Sequence, residues 1–234
     1  MIIRNAHFRL IYQRPIIIKG EEISKEMARY LKIDSVMDDG LSSEELKERI
    51  DAIKIDESIN AILVIPYIDH TAGISFHLLA TASLIHDSVN IFKREDSVMM
   101  NIRKDHKVND LEFEYLENLN VNDDFDLDDY TEAMEIADSY SDNDEIEQLR
   151  SIGDLDQFRH EDYPDDVEVL FYKEGLQIEK MWVRYERIID MPLIEGRLLN
   201  QPYQDFGVGA GDAVRFFPYR VDDDIVLICN LDDE

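Results

Sequence analysis

The chain has one cysteine, Cys229, which excludes an internal disulfide framework and predicts a reducing, cytoplasmic setting. It has no apolar run near the roughly 18 residues a membrane helix requires. Its longest candidate, Gly73 to Ile85, is interrupted by His77 and small polar residues. Arg4, Arg9 and Arg14 are scattered among the first apolar residues, so no compact secretory leader is expected. Basic residues are scarce. Lys and Arg total 24 against 53 Asp and Glu, a net charge of −29. Such a chain is repelled by phosphate backbones and anionic membranes, so direct nucleic-acid binding is not expected and basic protein partners are. No cofactor signature is present. What the chain does have is 44% hydrophobic and 9% aromatic residues, enough to build a core.

The charge is uneven. Between Asp105 and Val167 there are 23 acidic residues against Lys107, Arg150 and Arg159, a net of −20. This shift predicts three parts: an α/β domain over 1–104, an acidic, partly helical connector over 105–167, and a β module over 168–234. The expected class is α+β.

In the first part, Phe8 to Tyr12 and Pro15 to Ile18 are rich in β-formers, and Glu21 to Leu31 has helical composition. Ser42 and Glu45 form a capping-box pattern ahead of Leu46, Ile50 and Ile53. Ile59 to Tyr67 is a continuous apolar run, expected of a strand covered on both faces. Ile74, Leu78, Ala82 and Ile85 form a helical stripe, and Val89 to Phe92 returns as a strand. Strand, helix and strand predict a crossover unit with helix layered on sheet. In the connector, Tyr130, Met134, Ala137 and Tyr140 recur at helical spacing, and Ile146 and Leu149 suggest another short helix.

The last part carries five strand candidates: Val169–Tyr172, Ile178–Ile189, Leu193–Leu199, Ala213–Tyr219 and Ile225–Cys229. They predict a small antiparallel sheet or open barrel with Met181, Val183, Leu198, Val214 and Phe216 in one core. This part also contains Glu179-Lys180-Met181-Trp182-Val183, then Gly196-x-Leu198-x-Asn200-x-Pro202, then Gly211-Asp212-x-Val214-x-Phe216. In these three ordered blocks it resembles a bacterial family known as domain of unknown function 2314. The resemblance covers about a quarter of the chain and implies a fold and a bacterial origin, with no activity attached. The family often closes on Ile-x-Asp-Trp, whereas Val221-Asp222-Asp223-Asp224-Ile225 stands here.

Four features invite chemistry. Gly207-Val208-Gly209-Ala210-Gly211 has glycine spacing but precedes a strand, where a dinucleotide loop precedes a helix. Asp124, Asp126, Asp128, Glu132 and Glu135 match positions 1, 3, 5, 9 and 12 of a Ca²⁺-binding EF-hand loop. Position 6, however, holds Asp129 where that loop needs glycine, and position 8 holds Thr131. An acidic helix start capped by Asp128 or Asp129 is the expected alternative. Histidines stand at 7, 70, 77, 86, 106 and 160, none in an HExxH pair. Asp69-His70, at the end of a buried strand, is where a small-ligand or enzymatic site would lie. Trp182, Arg184 and Glu186 share one strand face, on which Trp182 either covers a small core or anchors a partner.

Together these features predict a non-enzymatic protein-binding module, immunity- or inhibitor-like, that masks a basic partner. Asp123, Asp124, Asp126, Asp128, Asp129, Trp182 and Arg184 are the expected contact residues. A ligand site at Asp69-His70 is the competing expectation.

Overall fold

A computed structural model describes residues 1–37, 42–93, 100–104, 108–140 and 144–232. His106 lies outside them. The class is α+β, and the chain divides into two compact units, Met1–Tyr140 and Ser141–Glu234.

The described residues of the first unit form a seven-stranded sheet. Its strands are β1 (Ile16–Lys19), β2 (Ala61–Asp69), β3 (Gly73–Ile85), β4 (Ser88–Phe92), β5 (Asn101–Arg103), β6 (Glu112–Tyr115) and β7 (Asn120–Val121). The order is β6-β1-β2-β3-β4-β7, with β5 also beside β3. Among the described residues, the α-helices before the acidic stretch are α1 (Phe8–Ile11), α2 (Glu21–Val36) and α3 (Ser43–Asp51). α3 opens on the expected capping box between Ser42 and Glu45, yet it buries none of its residues. α4 (Thr131–Asp138) follows a 3₁₀ turn at Leu127–Tyr130.

Both faces of the central strands are covered. Ile16, Ile18, Ile62, Val64, Phe76 and Leu78 pack with Ile23, Met27 and Leu31 of α2 in one cluster. Their alternates Ile17, Leu63, Ile65, Tyr67 and Leu79 pack with Leu116, Tyr130 and Ala137 in another. In β1 and β2 period-two alternation is therefore present in the geometry while invisible in the sequence, because both alternating sets are apolar.

The reading of Gly73–Ile85 as a helix is corrected. The segment is strand β3, paired antiparallel with β2 and with β4, and no crossover helix separates those strands. Ile74 to Leu78 and Ala80 to Leu84 in fact alternate apolar with Ser75, His77, Thr81 and Ser83, at strand spacing on either side of Leu79, and the helical stripe passes over that alternation. Gly73, at φ +75°, makes the tight reversal from β2. Phe8–Tyr12 is corrected in the opposite sense. Phe8–Ile11 is a short helix whose start is capped by the His7 Nδ1, accepting from the Arg9 N–H at 3.3 Å.

The described residues of the second unit close a five-stranded barrel, β10-β11-β12-β8-β9. These strands are β8 (Asp166–Tyr172), β9 (Glu179–Asp190), β10 (Leu193–Leu198), β11 (Ala213–Val221) and β12 (Asp224–Asn230), each overlapping its sequence candidate. Successive strands alternate in direction, so in a five-stranded meander the first and last run the same way. Closure thus requires one parallel pair, which Ile228↔Leu170 to Asn230↔Tyr172 supplies. The expectation of a small antiparallel sheet or open barrel is corrected to a closed barrel, which leaves fewer backbone groups unpaired at edges. Met181, Val183, Leu198, Val214 and Phe216 do share one core.

Composition and packing place the boundaries differently. Leu116 to Ala137 of the acidic stretch pack on the first unit's sheet. Ile146 and Leu149 of α5 (Asp144–Ser151), with Leu155, join the barrel core. The three-part division by charge thus becomes a two-part division by burial.

A buried polar network ties α5 to the barrel. Arg150 grips Asp165 with two bonds, Nε at 3.0 Å and Nη2 at 2.6 Å, the side chains being 3% and 1% exposed. The Tyr185 hydroxyl donates to Asp165 at 2.7 Å, and burial first, then the Asp165 charge, raises its pKa. Arg159 donates to the Leu149 carbonyl at 2.8 Å, with longer bonds to the Arg150 and Ile152 carbonyls. A helix leaves its last carbonyls without intrahelical donors, and this guanidinium supplies them.

Candidate interaction surface

The expected contact residues fall in both units. Asp123, Asp124, Asp126, Asp128 and Asp129 are all exposed, while Phe125 and Leu127 between them are half-buried and Tyr130 is buried. Phe125 and Tyr130 stack at 5.8 Å and 30°, and all three apolar side chains belong to the cluster on the sheet. Alternation thus turns the loop into a fixed rim with carboxylates outward. Local bonds hold it: Asp126 accepts from the Asp128 N–H at 3.0 Å, and the Asn122 amide donates to Asp124. Lys93 meets Asp129 at 2.6 Å, and this bond raises the lysine pKa.

The cap is Asp126, not Asp128 or Asp129, because the 3₁₀ turn precedes α4 and moves the start of the helical segment upstream. Of the EF-hand positions, Asp124, Asp126 and Asp128 lie on the loop and 3₁₀ turn, and Glu132 and Glu135 lie exposed on α4. Among the described residues no group of three or more His, Cys, Asp or Glu side chains is arranged to hold a metal ion.

Trp182 and Arg184 lie on the outer face of β9, where Met181, Val183 and Tyr185 point inward. The Trp182 ring meets His160 edge-on at 5.1 Å, and His160 meets Tyr163 at 5.3 Å. The His160 Nδ1 accepts the Asp162 and Tyr163 N–H groups, which folds that turn against the indole. Arg184 is bound by Asp166 through two bonds, at 2.6 and 3.0 Å. Trp182 therefore covers a small aromatic cluster, and Arg184 is engaged in cross-strand pairing.

Gly196, Asn200 and Gly211 sit at close approaches of the barrel strands and their connections. A Cβ on Gly196 would stand 2.4 Å from the Arg184 carbonyl oxygen, at a register shift between β9 and β10. Asn200 extends that ladder, accepting the Trp182 N–H at 2.8 Å. Gly211, at φ +94°, donates to the Leu198 carbonyl at 2.7 Å.

Asp69 is a turn residue. It accepts from the Thr71 N–H and hydroxyl, both at 2.7 Å, and from the Ala72 N–H at 3.1 Å. Burial opposes its ionisation, but these hydrogen bonds prevail and lower its pKa. The rule placing ligands beyond strand ends concerns open parallel sheets, whereas β2 and β3 are an antiparallel hairpin. His77 is buried on β3 with its Nδ1 2.7 Å from the Asn101 Oδ1.

Tyr67, nearby, is 3% exposed. Burial, then Tyr140 and Asp69, push its hydroxyl up to about 12. In the unfolded chain it titrates near 10. The folded state holds this proton more tightly, so its contribution to stability is complete below about pH 10 and lost as pH rises through about 12. Tyr67→Phe removes this dependence. Its urea midpoint, followed by circular dichroism, falls less than the wild type's between about pH 9 and 12.

Sequence reasoning missed a groove beside the acidic loop. It has a volume of about 380 Å³ and an apolar lining that includes Tyr115, Leu116, Leu119, Val121 and Leu127. The sequence signal was the set of leucines punctuating the acidic stretch. Pro15, which completes one wall, is remote in sequence and could not be assigned.

No protein-family model, curated protein or solved structure matches this chain.

Proposed function

We propose that this chain is a non-enzymatic acidic protein-binding module of bacterial origin, immunity- or inhibitor-like, that masks the basic surface of a partner protein. The observation that carries this reading is the loop on which Asp123, Asp124, Asp126, Asp128 and Asp129 face outward while Phe125, Leu127 and Tyr130 anchor it. Ordered carboxylates that repel one another are retained at a cost in stability, and a cationic partner relieves it. The helix-on-sheet layer of the first unit is then the scaffold for the acidic rim. Trp182 and Arg184 fit this reading as supporting residues of the barrel, since their rings and charges already have partners. The resemblance of the barrel to domain of unknown function 2314 belongs to the same proposal and adds no activity.

The test is capture from cell extract by the wild type and by a variant with all five aspartates changed to asparagine. The wild type retains proteins rich in Lys and Arg, and the variant loses them. An identical retained set with both baits contradicts the proposal.

A further inference from the structure

We propose that the groove beside the acidic loop receives apolar side chains from a cationic segment of the partner protein, so that the surface selects a basic amphipathic stretch over positive charge alone. This rests on the acidic-surface reading and adds a second determinant to it.

Leu127 joins the two features. It lines the groove, and its neighbours Asp126 and Asp128 are exposed carboxylates. A segment engaging those carboxylates is thereby brought to an apolar wall. Leu119, Val121, Leu127 and Tyr115 are each half-buried, leaving apolar surface open. The volume of about 380 Å³ falls within the roughly 300–1,000 Å³ of ordinary ligand pockets. Arg14, the cation in the lining, is neutralised in place: it pairs with Glu117, and its guanidinium lies 4.0 Å from the centroid of the Tyr115 ring.

Charge selects the occupant. Among the described residues, the ion pair formed by the five loop aspartates is that of Asp129 with Lys93. A second copy of the chain would bring the same carboxylates and a further −29 of charge, and like charges repel. Strand addition at the sheet edge is also disfavoured. β7 is two residues long, and beyond it the Asn122 side chain takes the Ile91 N–H at 2.8 Å. Insertion of side chains is the mode that remains.

The experiment titrates the full chain with two synthetic lysine-rich peptides of equal length and charge. One carries leucines at i, i+4 and i+7 spacing, and the other carries serines there. Calorimetry is expected to give one leucine peptide per chain, bound at least about tenfold tighter than the serine peptide. Leu127→Ser abolishes that preference while leaving weak, salt-sensitive binding of both, and Leu119→Ser, at a second half-buried position, does the same. Equal, salt-sensitive affinity for the two peptides overturns the groove and leaves the acidic surface standing. A preference unchanged in both variants also overturns the groove. Binding of neither peptide overturns both readings.

Discussion

Asp165→Ala is expected to destabilise the barrel unit by about 3–5 kcal/mol, because it removes the buried carboxylate that grips the Arg150 guanidinium with two bonds. Arg150 is 3% exposed, and its other carboxylate, Glu147, stands 37% exposed at the surface. Glu147→Gln is expected to cost under about 1 kcal/mol, since a half-solvated pair contributes little. The double change Arg150→Met with Asp165→Leu recovers most of the loss, as apolar replacements for a buried pair often do. Two units need not unfold together, so a probe of one unit is required. The single tryptophan provides it, because Trp182 lies in the barrel. Its fluorescence in urea reports that unit, and a loss below about 1 kcal/mol for Asp165→Ala would show that the network is not holding α5 in place.

Gly196→Ala is the second large effect. The added carbon meets the Arg184 carbonyl oxygen at 2.4 Å and the Val183 Cγ1 at 2.8 Å. The first of these is backbone, so β9 must shift, at a cost of about 1–3 kcal/mol for an overpacked site. Gly175→Ala is the control. Its φ is +84° but nothing lies within 4 Å of the new carbon, so only the backbone penalty of about 1–2 kcal/mol applies. Core packing around Met181 and Val183 is disturbed by Gly196→Ala alone, and near-ultraviolet circular dichroism separates the two variants. Equal, unperturbed spectra for both would contradict the close approach of the strands.

The barrel was legible in the sequence because its strands have one wet face. Met181, Val183 and Tyr185 alternate with Trp182, Arg184 and Glu186, and the burial follows that alternation. In Gly73–Ile85 the strand alternation of Ser75, His77, Thr81 and Ser83 with apolar neighbours is broken at Leu78-Leu79. Ile74, Leu78, Ala82 and Ile85 fit a helical stripe equally well, so periodicity alone does not distinguish strand from helix there. The Arg150–Asp165 pair was illegible because, in a stretch carrying 23 acidic residues, one more aspartate looks solvated until the fold buries it. The acidic rim was visible as composition. Its order was only hinted at by Phe125, Leu127 and Tyr130, whose inward packing depends on a sheet built from residues far away in sequence.

The central claim, that the acidic rim recognises a basic partner, is tested most directly by association kinetics. A captured partner is immobilised, and the wild type and the five-asparagine variant are flowed over it from low to physiological salt. The Debye length falls from roughly 30 Å at 0.01 M to about 8 Å at 0.15 M ionic strength. The wild-type on-rate should therefore drop steeply with salt. In the variant the on-rate should be lower and its salt slope shallower, with a smaller change in off-rate. An on-rate and salt slope in the variant equal to those of the wild type would show that the five aspartates are only a solvated face.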